Sequence, residues 1–331
     1  LGGLLTFAVL GERTATAPGQ PSLAAMRDLY RVRSIGPATR LYGVIGMPVE
    51  HSRSPHLHNA GFAAAGVDAT YLPLPVAEGW ESLKATLAVL LDAPRLAFAG
   101  ASVTIPHKEH VLRFVRERGG IVGAMAELAG AANTLTVAED GTLRADNTDA
   151  PAVLDALGGA AAVRGRRFAV LGAGGAARAA AAGLGAAGAT VVAIGRTPER
   201  VEALCRDLHG RDRPGGDGGT LHVVAGRPDA LDCGCFDGFV QATPVGMAGG
   251  PDPEGDPLPP GVALGHEHVV LETVYAPLET PLVRRARAAG ATIVTGDAMF
   301  ERQAARQFER WTGRPLPSEA LAAIRPRAAD G

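Results

Sequence analysis

The stretch Phe168-Ala169-Val170-Leu171-Gly172-Ala173-Gly174-Gly175-Ala176-Ala177 restricts this chain more than any other. Phe168–Leu171 predicts a strand, and glycines follow it at once and open a helix predicted over Gly175–Ala187. A strand, a bare turn and a helix in that order make one unit of a parallel α/β sheet. Backbone without Cβ atoms can approach a pyrophosphate, and the free N–H groups of a helix N-terminus favour its charge. The turn therefore predicts dinucleotide binding, with Gly172, Ala173, Gly174, Gly175 and Ala176 as the cradle. In a chain with 44 glycines a tight packing turn is the competing reading; the strand–turn–helix context favours the dinucleotide.

The next predicted strand, Thr190–Ile194, ends in Gly195-Arg196-Thr197. NAD sites usually place an acidic residue near this point to hold the ribose hydroxyls. None stands here. Arg196 can instead grip a 2′-phosphate, with Thr197 adding a hydroxyl and Arg200 a second charge. A charge-assisted hydrogen bond contributes roughly 1.5–3 kcal/mol, which is roughly a 10- to 150-fold preference for NADP over NAD.

Single cores rarely grow past roughly 250 residues, so 331 residues predict two domains. Strands are expected at Leu41–Ile45, Thr70–Leu74 and Leu96–Ala101, with helices at Pro55–Ala65, capped by Ser54, at Trp80–Leu91 and at Lys108–Arg116. A second alternating block holds Thr190–Ile194, a helix at Pro198–Leu208, and strands at Leu221–Val224, Gly238–Gln241 and Val269–Thr273. The chain ends in a helix that Asp297 can cap, with Phe300, Ala304, Phe308 and Trp311 on one face. Residues 1–36 read as separate: a strand at Leu4–Leu10, a helix at Leu23–Tyr30, then the linker Ile35-Gly36-Pro37.

A net charge of −2 gives no field to draw nucleic acid or anionic lipid, so neither is an expected partner. Leu1–Leu10 is too short to span a bilayer, and it lacks the basic flank and cleavage site of a signal peptide. Leu at position 1 suggests processing or excision from something longer. Cys205, Cys233 and Cys235 form an odd, sparse set, expected as reduced thiols in a cytoplasmic protein. His51, His56 and His58 cluster without a carboxylate or cysteine at ligand spacing, so no metal is expected.

Lys and Arg together number 32, yet the only lysines are Lys84 and Lys108. Arginine stays protonated near neutral pH, whereas lysine can be tuned to give up a proton. Lys108 opens a predicted helix after Pro106-His107. A helix terminus and burial would lower its pKa, and a neighbouring carboxylate, for which Asp149 is the candidate, would raise it. An acid/base role and an ordinary surface lysine both fit at this point.

Eight short stretches, in order, carry a resemblance. They are Ser52-Arg53-Ser54-Pro55, Val103-Thr104-Ile105-Pro106-His107-Lys108, Ala132-Asn133-Thr134, Asn147-Thr148-Asp149, Gly172–Ala176, Ala242-Thr243-Pro244-Val245-Gly246-Met247, Tyr275-Ala276-Pro277, and Gly296-Asp297-Ala298-Met299 with Gln303. From Tyr42 to Gly313 the chain resembles the shikimate dehydrogenase family. The resemblance implies an α/β fold of two α/β domains. One is an N-terminal substrate-binding domain completed by the C-terminal helices, at 37–151 and 280–331; the other is a Rossmann-type NADP domain at 152–279. It implies reversible NADPH-dependent reduction of 3-dehydroshikimate to shikimate in chorismate and aromatic amino acid biosynthesis. Lys108 would be the acid/base group, paired with Asp149. Ser52 and Ser54 would bind the substrate carboxylate, with Tyr275 near it; Thr104, Asn133, Asp149 and Gln303 would hold the ring hydroxyls. The glycine turn, Arg196, Thr197, Arg200, Thr243, Met247 and Gly296 would line the NADP site.

The chain departs from the family pattern at several positions. Ser102, Gly195, Gln241 and Ala276 stand where asparagine is usual, Ala150 replaces a glycine, Glu272 an aspartate and Phe300 a leucine. Residues 1–36 resemble the last strand and helix of a type I dehydroquinate dehydratase, with Thr16-Ala17-Pro18-Gly19-Gln20 matching its substrate loop. That resemblance implies covalent fusion to a dehydratase domain upstream, and no dehydratase activity from this chain alone. A homodimer is a further expectation. The rival readings are a quinate/shikimate dehydrogenase using NAD, and a non-catalytic sensor of a pathway intermediate.

Overall fold

The computed structural model describes residues 21–213 and 219–325. The chain divides into two compact units. The first comprises the described residues up to Ile121, then Asn133–Ala145 and the chain from Ala304; the second comprises Val122–Ala132 and Asp146–Gln303. The expected strand Leu4–Leu10 and the Thr16–Gln20 match lie outside the described residues. Within the helix expected at Leu23–Tyr30, Ala25–Leu29 forms a wide-turned helix.

The first sheet is built from β1 (Arg40–Gly46), α1 (Ser54–Ala64), β2 (Ala69–Pro75), α2 (Trp80–Asp92), β3 (Phe98–Val103) and α3 (Lys108–Glu117). The chain continues through β4 (Ile121–Val122), α4 (Ala124–Ala129), β5 (Thr134–Val137) and β6 (Leu143–Asp146). The strand order is β2-β1-β3-β5-β6-β4. β1 runs parallel to β2 and β3, and β5 runs antiparallel to β3. Ser54 is the first helical residue of α1, not its cap; Arg53 takes the cap position in helical backbone, and Ser52 Oγ accepts from the Ser54 amide at 3.3 Å.

One core of this unit is aromatic: Tyr42, Phe62, Tyr71, Phe308 and Trp311 are all buried. Tyr42 and Trp311 lie 5.0 Å apart, and such pairs contribute about 0.5–1.5 kcal/mol beyond burial. His58 enters this cluster, stacked on Tyr71 with ring centroids 4.7 Å apart. Burial favours the neutral ring and pushes its pKa down to about 3.

The second unit holds α5 (Asp149–Ala156), α6 (Ala160–Val163), β7 (Arg167–Leu171), α7 (Gly175–Ala186), β8 (Thr190–Ile194), α8 (Pro198–Leu208), β9 (His222–Ala225), β10 (Gly238–Gln241), β11 (Val269–Glu272), α9 (Pro281–Ala288) and β12 (Thr292–Val294). α10 (Gly296–Thr312) starts in this unit and ends in the first, which also holds α11 (Ser318–Ala322). The sheet order is β12-β11-β10-β7-β8-β9, with every neighbouring pair parallel. The first strand, β7, thus sits mid-sheet, and the order reverses between β7 and β10. That is the doubly wound arrangement, whose ligands bind at the reversal, outside the strands' carboxyl ends. Small residues let α7 lie close to its neighbours: a Cβ on Gly183 would stand 2.7 Å from Ala150 O of α5.

Cys205 is a free buried thiol whose pKa burial pushes up to about 11. Cys235 is disulfide-bonded, which corrects the expectation of three reduced thiols. Composition counts cysteines; it does not see which of them turns bring within bonding distance. Among the described residues no helix is long and apolar enough to cross a membrane, and no group of three or more His, Cys, Asp or Glu could hold a metal ion.

Candidate active site

The second unit gathers its candidate residues at the strand-order reversal. Gly172 leaves β7 with φ +122°, a region that favours glycine, and donates its amide to Ile194 O at 2.7 Å. A Cβ there would stand 2.8 Å from Ala242 O and 3.3 Å from Thr243 Cγ2. A Cβ on Gly195 would stand 3.9 Å from Ala173 Cβ. The ends of β7, β8 and β10 therefore converge, bringing the glycine turn, Gly195 and Thr243 together. Gly174 caps α7, a Cβ on it would meet nothing within 4 Å, and the first helical turn carries no acidic residue. Open space over the turn and a helix N-terminus whose first turn holds no acidic residue suit a dinucleotide pyrophosphate. Arg196, Thr197 and Arg200 follow β8 and are exposed, the last two around the start of α8. Arginines there suit the added phosphate of NADP.

Thr243 is held from below. Its amide and hydroxyl both donate to Gln241 Oε1, at 3.1 and 3.0 Å, while Gln241 Nε2 donates to Val245 O at 3.0 Å. Gln241, the residue in place of the family's asparagine, is fully buried. Met247 turns back through its amide to Pro244 O at 3.2 Å, and the Ala248 amide donates to Ala276 O at 2.9 Å. That bond links the Met247 segment to the Tyr275 segment. Gly296 opens α10 against the backbone of Val274 and Tyr275, and Tyr275 packs on Phe300 with ring centroids 5.1 Å apart. Asp149 is buried in the first turn of α5. Asn147 fixes that turn, donating to Ala131 O at 2.8 Å and accepting from the Ala150 amide at 3.0 Å. Gln303 is half-buried on α10.

In the first unit the loops after β1 and β3 interlock. The Thr104 amide donates to Ile45 O at 2.8 Å and the Met47 amide to Ile105 O at 2.9 Å. A Cβ on Gly46 would stand 2.7 Å from Ile105 O, so only a bare backbone permits this approach. Ser52 and Ser54 follow the first loop; Thr104 and Lys108 follow the second. Lys108 is the first residue of α3, half-buried, behind a cap residue His107 that hydrogen-bonds Val76 O at 3.1 Å. The other lysine, Lys84, has its Nζ 5.9 Å from the centroid of the Trp80 ring on α2. Asn133 meets the end of β3 where its carbonyl accepts from the Val103 amide at 2.8 Å.

Gln307, which the sequence reading passed over, fixes Asn133 in place. Its Nε2 donates to Asn133 O at 2.9 Å and to Thr134 Oγ1 at 3.1 Å, and its Oε1 accepts from Ser102 at 2.7 Å. Gln307 is 1% exposed, so these bonds replace water entirely. The one available signal was its place on the buried face of α10, beside Phe308.

A family profile, shikimate dehydrogenase substrate binding domain, matches residues 44–135. A shikimate dehydrogenase (NADP(+)) from Anaeromyxobacter dehalogenans is 41% identical over 86% of this chain and 95% of its own length. A chloroplastic bifunctional 3-dehydroquinate dehydratase/shikimate dehydrogenase from Arabidopsis thaliana is 36% identical over 96% of this chain, which spans 51% of that relative's length. Among solved structures, a shikimate dehydrogenase in complex with NADP+ superposes with a TM-score of 0.74 at 31% identity, covering 88% of this chain and 98% of the other.

Proposed function

The chain belongs to the shikimate dehydrogenase family, and from that premise we propose that it interconverts 3-dehydroshikimate and shikimate by NADP-dependent hydride transfer. The observation that carries the reading is the glycine cradle at the order reversal of an all-parallel sheet, followed at the next strand by Arg196 in place of an acidic residue. NADPH held by these residues would supply the hydride that reduces the C3 carbonyl. Lys108 gives a proton to the C3 oxygen as it becomes an alcohol, and takes it back in the reverse direction. Asp149 is its carboxylate partner and also binds a ring hydroxyl. Ser52 and Ser54 hold the carboxylate with Tyr275 near it; Thr104, Asn133 and Gln303 orient the ring. Gly172–Ala176, Thr243, Met247 and Gly296 line the dinucleotide, while Arg196, Thr197 and Arg200 select its 2′-phosphate. Residues 37–151 with 280–331 serve the substrate and 152–279 the nucleotide.

Residues 1–36 come, on this reading, from the end of a dehydroquinate dehydratase domain fused upstream. The alignment to the bifunctional relative, which reaches 96% of the chain against 86% for the other, supports this, and the intact mass of the native product tests it. The working form is a cytoplasmic homodimer, which sedimentation of the purified chain and cell fractionation check.

The decisive experiment follows NADP+ reduction by shikimate, with quinate and NAD+ as alternates, for the parent and for Lys108→Ala. Positioned general acids contribute about 10²- to 10⁴-fold, so kcat should fall by that much with shikimate binding retained. A parent-like rate in the variant overturns the role of Lys108; preference for quinate with NAD+ replaces the substrate assignment.

A further inference from the structure

Glu272 ends β11 as a carboxylate with no exposed surface. Its Oε1 accepts from the Val274 amide at 2.9 Å and its Oε2 from Thr280 Oγ1 at 2.8 Å. Thr280 in turn accepts from the Val283 amide at 3.2 Å and so caps α9. One side chain thus ties a strand end, the loop after it and the next helix.

Two further segments rest on this tie. A Cβ on Gly296 would stand 2.9 Å from Tyr275 N, so α10 begins bare against the same loop. A Cβ on Gly246 would stand 3.2 Å from Thr280 Cβ, which sets the Thr243–Met247 turn on the capping residue. Gly246, Tyr275 and Gly296 all lie in segments that the reading above assigns to the site.

We propose that Glu272 is a positioning residue that holds the Tyr275 segment and the Gly246–Met247 turn in working register through Val274 and Thr280. The inference rests on the oxidoreductase reading for its link to turnover. Its geometry stands on the contacts alone. Burial pushes the Glu272 carboxyl up to about 7, against the hydrogen bonds that lower it. Among the described residues the charged group acting on it is Asp256, which raises it further and is itself paired with Arg285 of α9 at 3.1 Å. The closed arrangement therefore holds its proton more tightly than water would. Lowering the pH through about 7 tightens the latch, and raising it loosens the latch.

Hydrogen exchange of the Val274–Pro277 segment in the full chain, corrected for intrinsic rates, reads this directly between pH 6 and 8.5. In the parent, opening should increase about tenfold, since the gain of about tenfold per pH unit is collected between pH 6 and the pKa of about 7 and levels off above it, and the shikimate KM should rise at least roughly threefold while kcat follows its own profile. Glu272→Gln keeps the shape and cannot ionise, so its exchange should be flat with pH; Glu272→Asp should restore the slope. An equal slope in parent and Glu272→Gln overturns the proposal. Should Glu272→Gln fail to fold, Thr280→Val removes one anchor and should raise exchange at Val274 about tenfold; unchanged exchange overturns the proposal equally. Exchange needs no turnover: a chain that cannot oxidise shikimate yet shows the Glu272-dependent slope sinks the activity and keeps the latch.

Discussion

The second unit's sheet runs all its strands one way, whereas the first unit's sheet sets β5 against β3. Uniform direction sends every strand's carboxyl end to one edge. The loops after β7, β8 and β10 then meet through local groups, the glycines whose approaches are seen at Gly172 and Gly195 and the Gln241 side chain two residues from Thr243. The mixed sheet has no such guarantee. There the end of β3 meets the start of β5, and the junction is held by Gln307, whose bond to Asn133 spans 174 positions. A site at the edge of a parallel sheet can be specified by short motifs. A site at a parallel–antiparallel junction needs a side chain delivered from far along the chain.

Three substitutions test that contrast. Gly172→Val should hurt most: strain at φ +122° and a Cβ against Ala242 O should each cost about 1–3 kcal/mol. Fluorescence titration with NADPH should show roughly a hundredfold weaker binding, with shikimate affinity kept. Next comes Arg196→Ala, where the NADP/NAD ratio of kcat/KM should drop by roughly 10- to 150-fold; a ratio that stays put removes Arg196 from cofactor selection. Smallest is Gln307→Leu. Leaving Asn133 O, Thr134 and Ser102 short of a partner should cost about 1–3 kcal/mol and raise the shikimate KM roughly tenfold. If NADPH affinity fell as far as shikimate affinity, the division of labour between the two sheets would be wrong.

The same contrast explains what the sequence disclosed. The strands expected at Thr190–Ile194 and Gly238–Gln241 and the helix at Pro198–Leu208 coincide with β8, β10 and α8, because apolar runs there are bounded by glycine or proline. The strand expected from Leu96 begins at Phe98. Pro94–Leu96 forms a tight turn and Ala97 takes a left-handed φ of 43°, which runs of apolar residues do not reveal. α4 and α6 went unread since short alanine-rich stretches carry no period, and β4–β6 are too brief to show alternation. Of the candidate site, the residues on strand-end loops were legible as motifs. Gln307 was not, since its partners Ser102, Asn133 and Thr134 lie 173 to 205 positions away. His58, grouped by spacing with His51 and His56, leaves them for the aromatic core, where α1 turns it inward. Glu272 was visible as an unusual residue, and its hold on Thr280 was not.

The near-replacement of lysine by arginine gives this chain a spectroscopic convenience. Isotope labelling restricted to lysine would place just two side-chain amine resonances in a protein of 331 residues. Lys84 lies over the Trp80 ring and should be displaced by its ring current, so the remaining signal reports on Lys108 with no substitution made. Titrating that one resonance with and without nucleotide would follow the proton that the proposed chemistry moves.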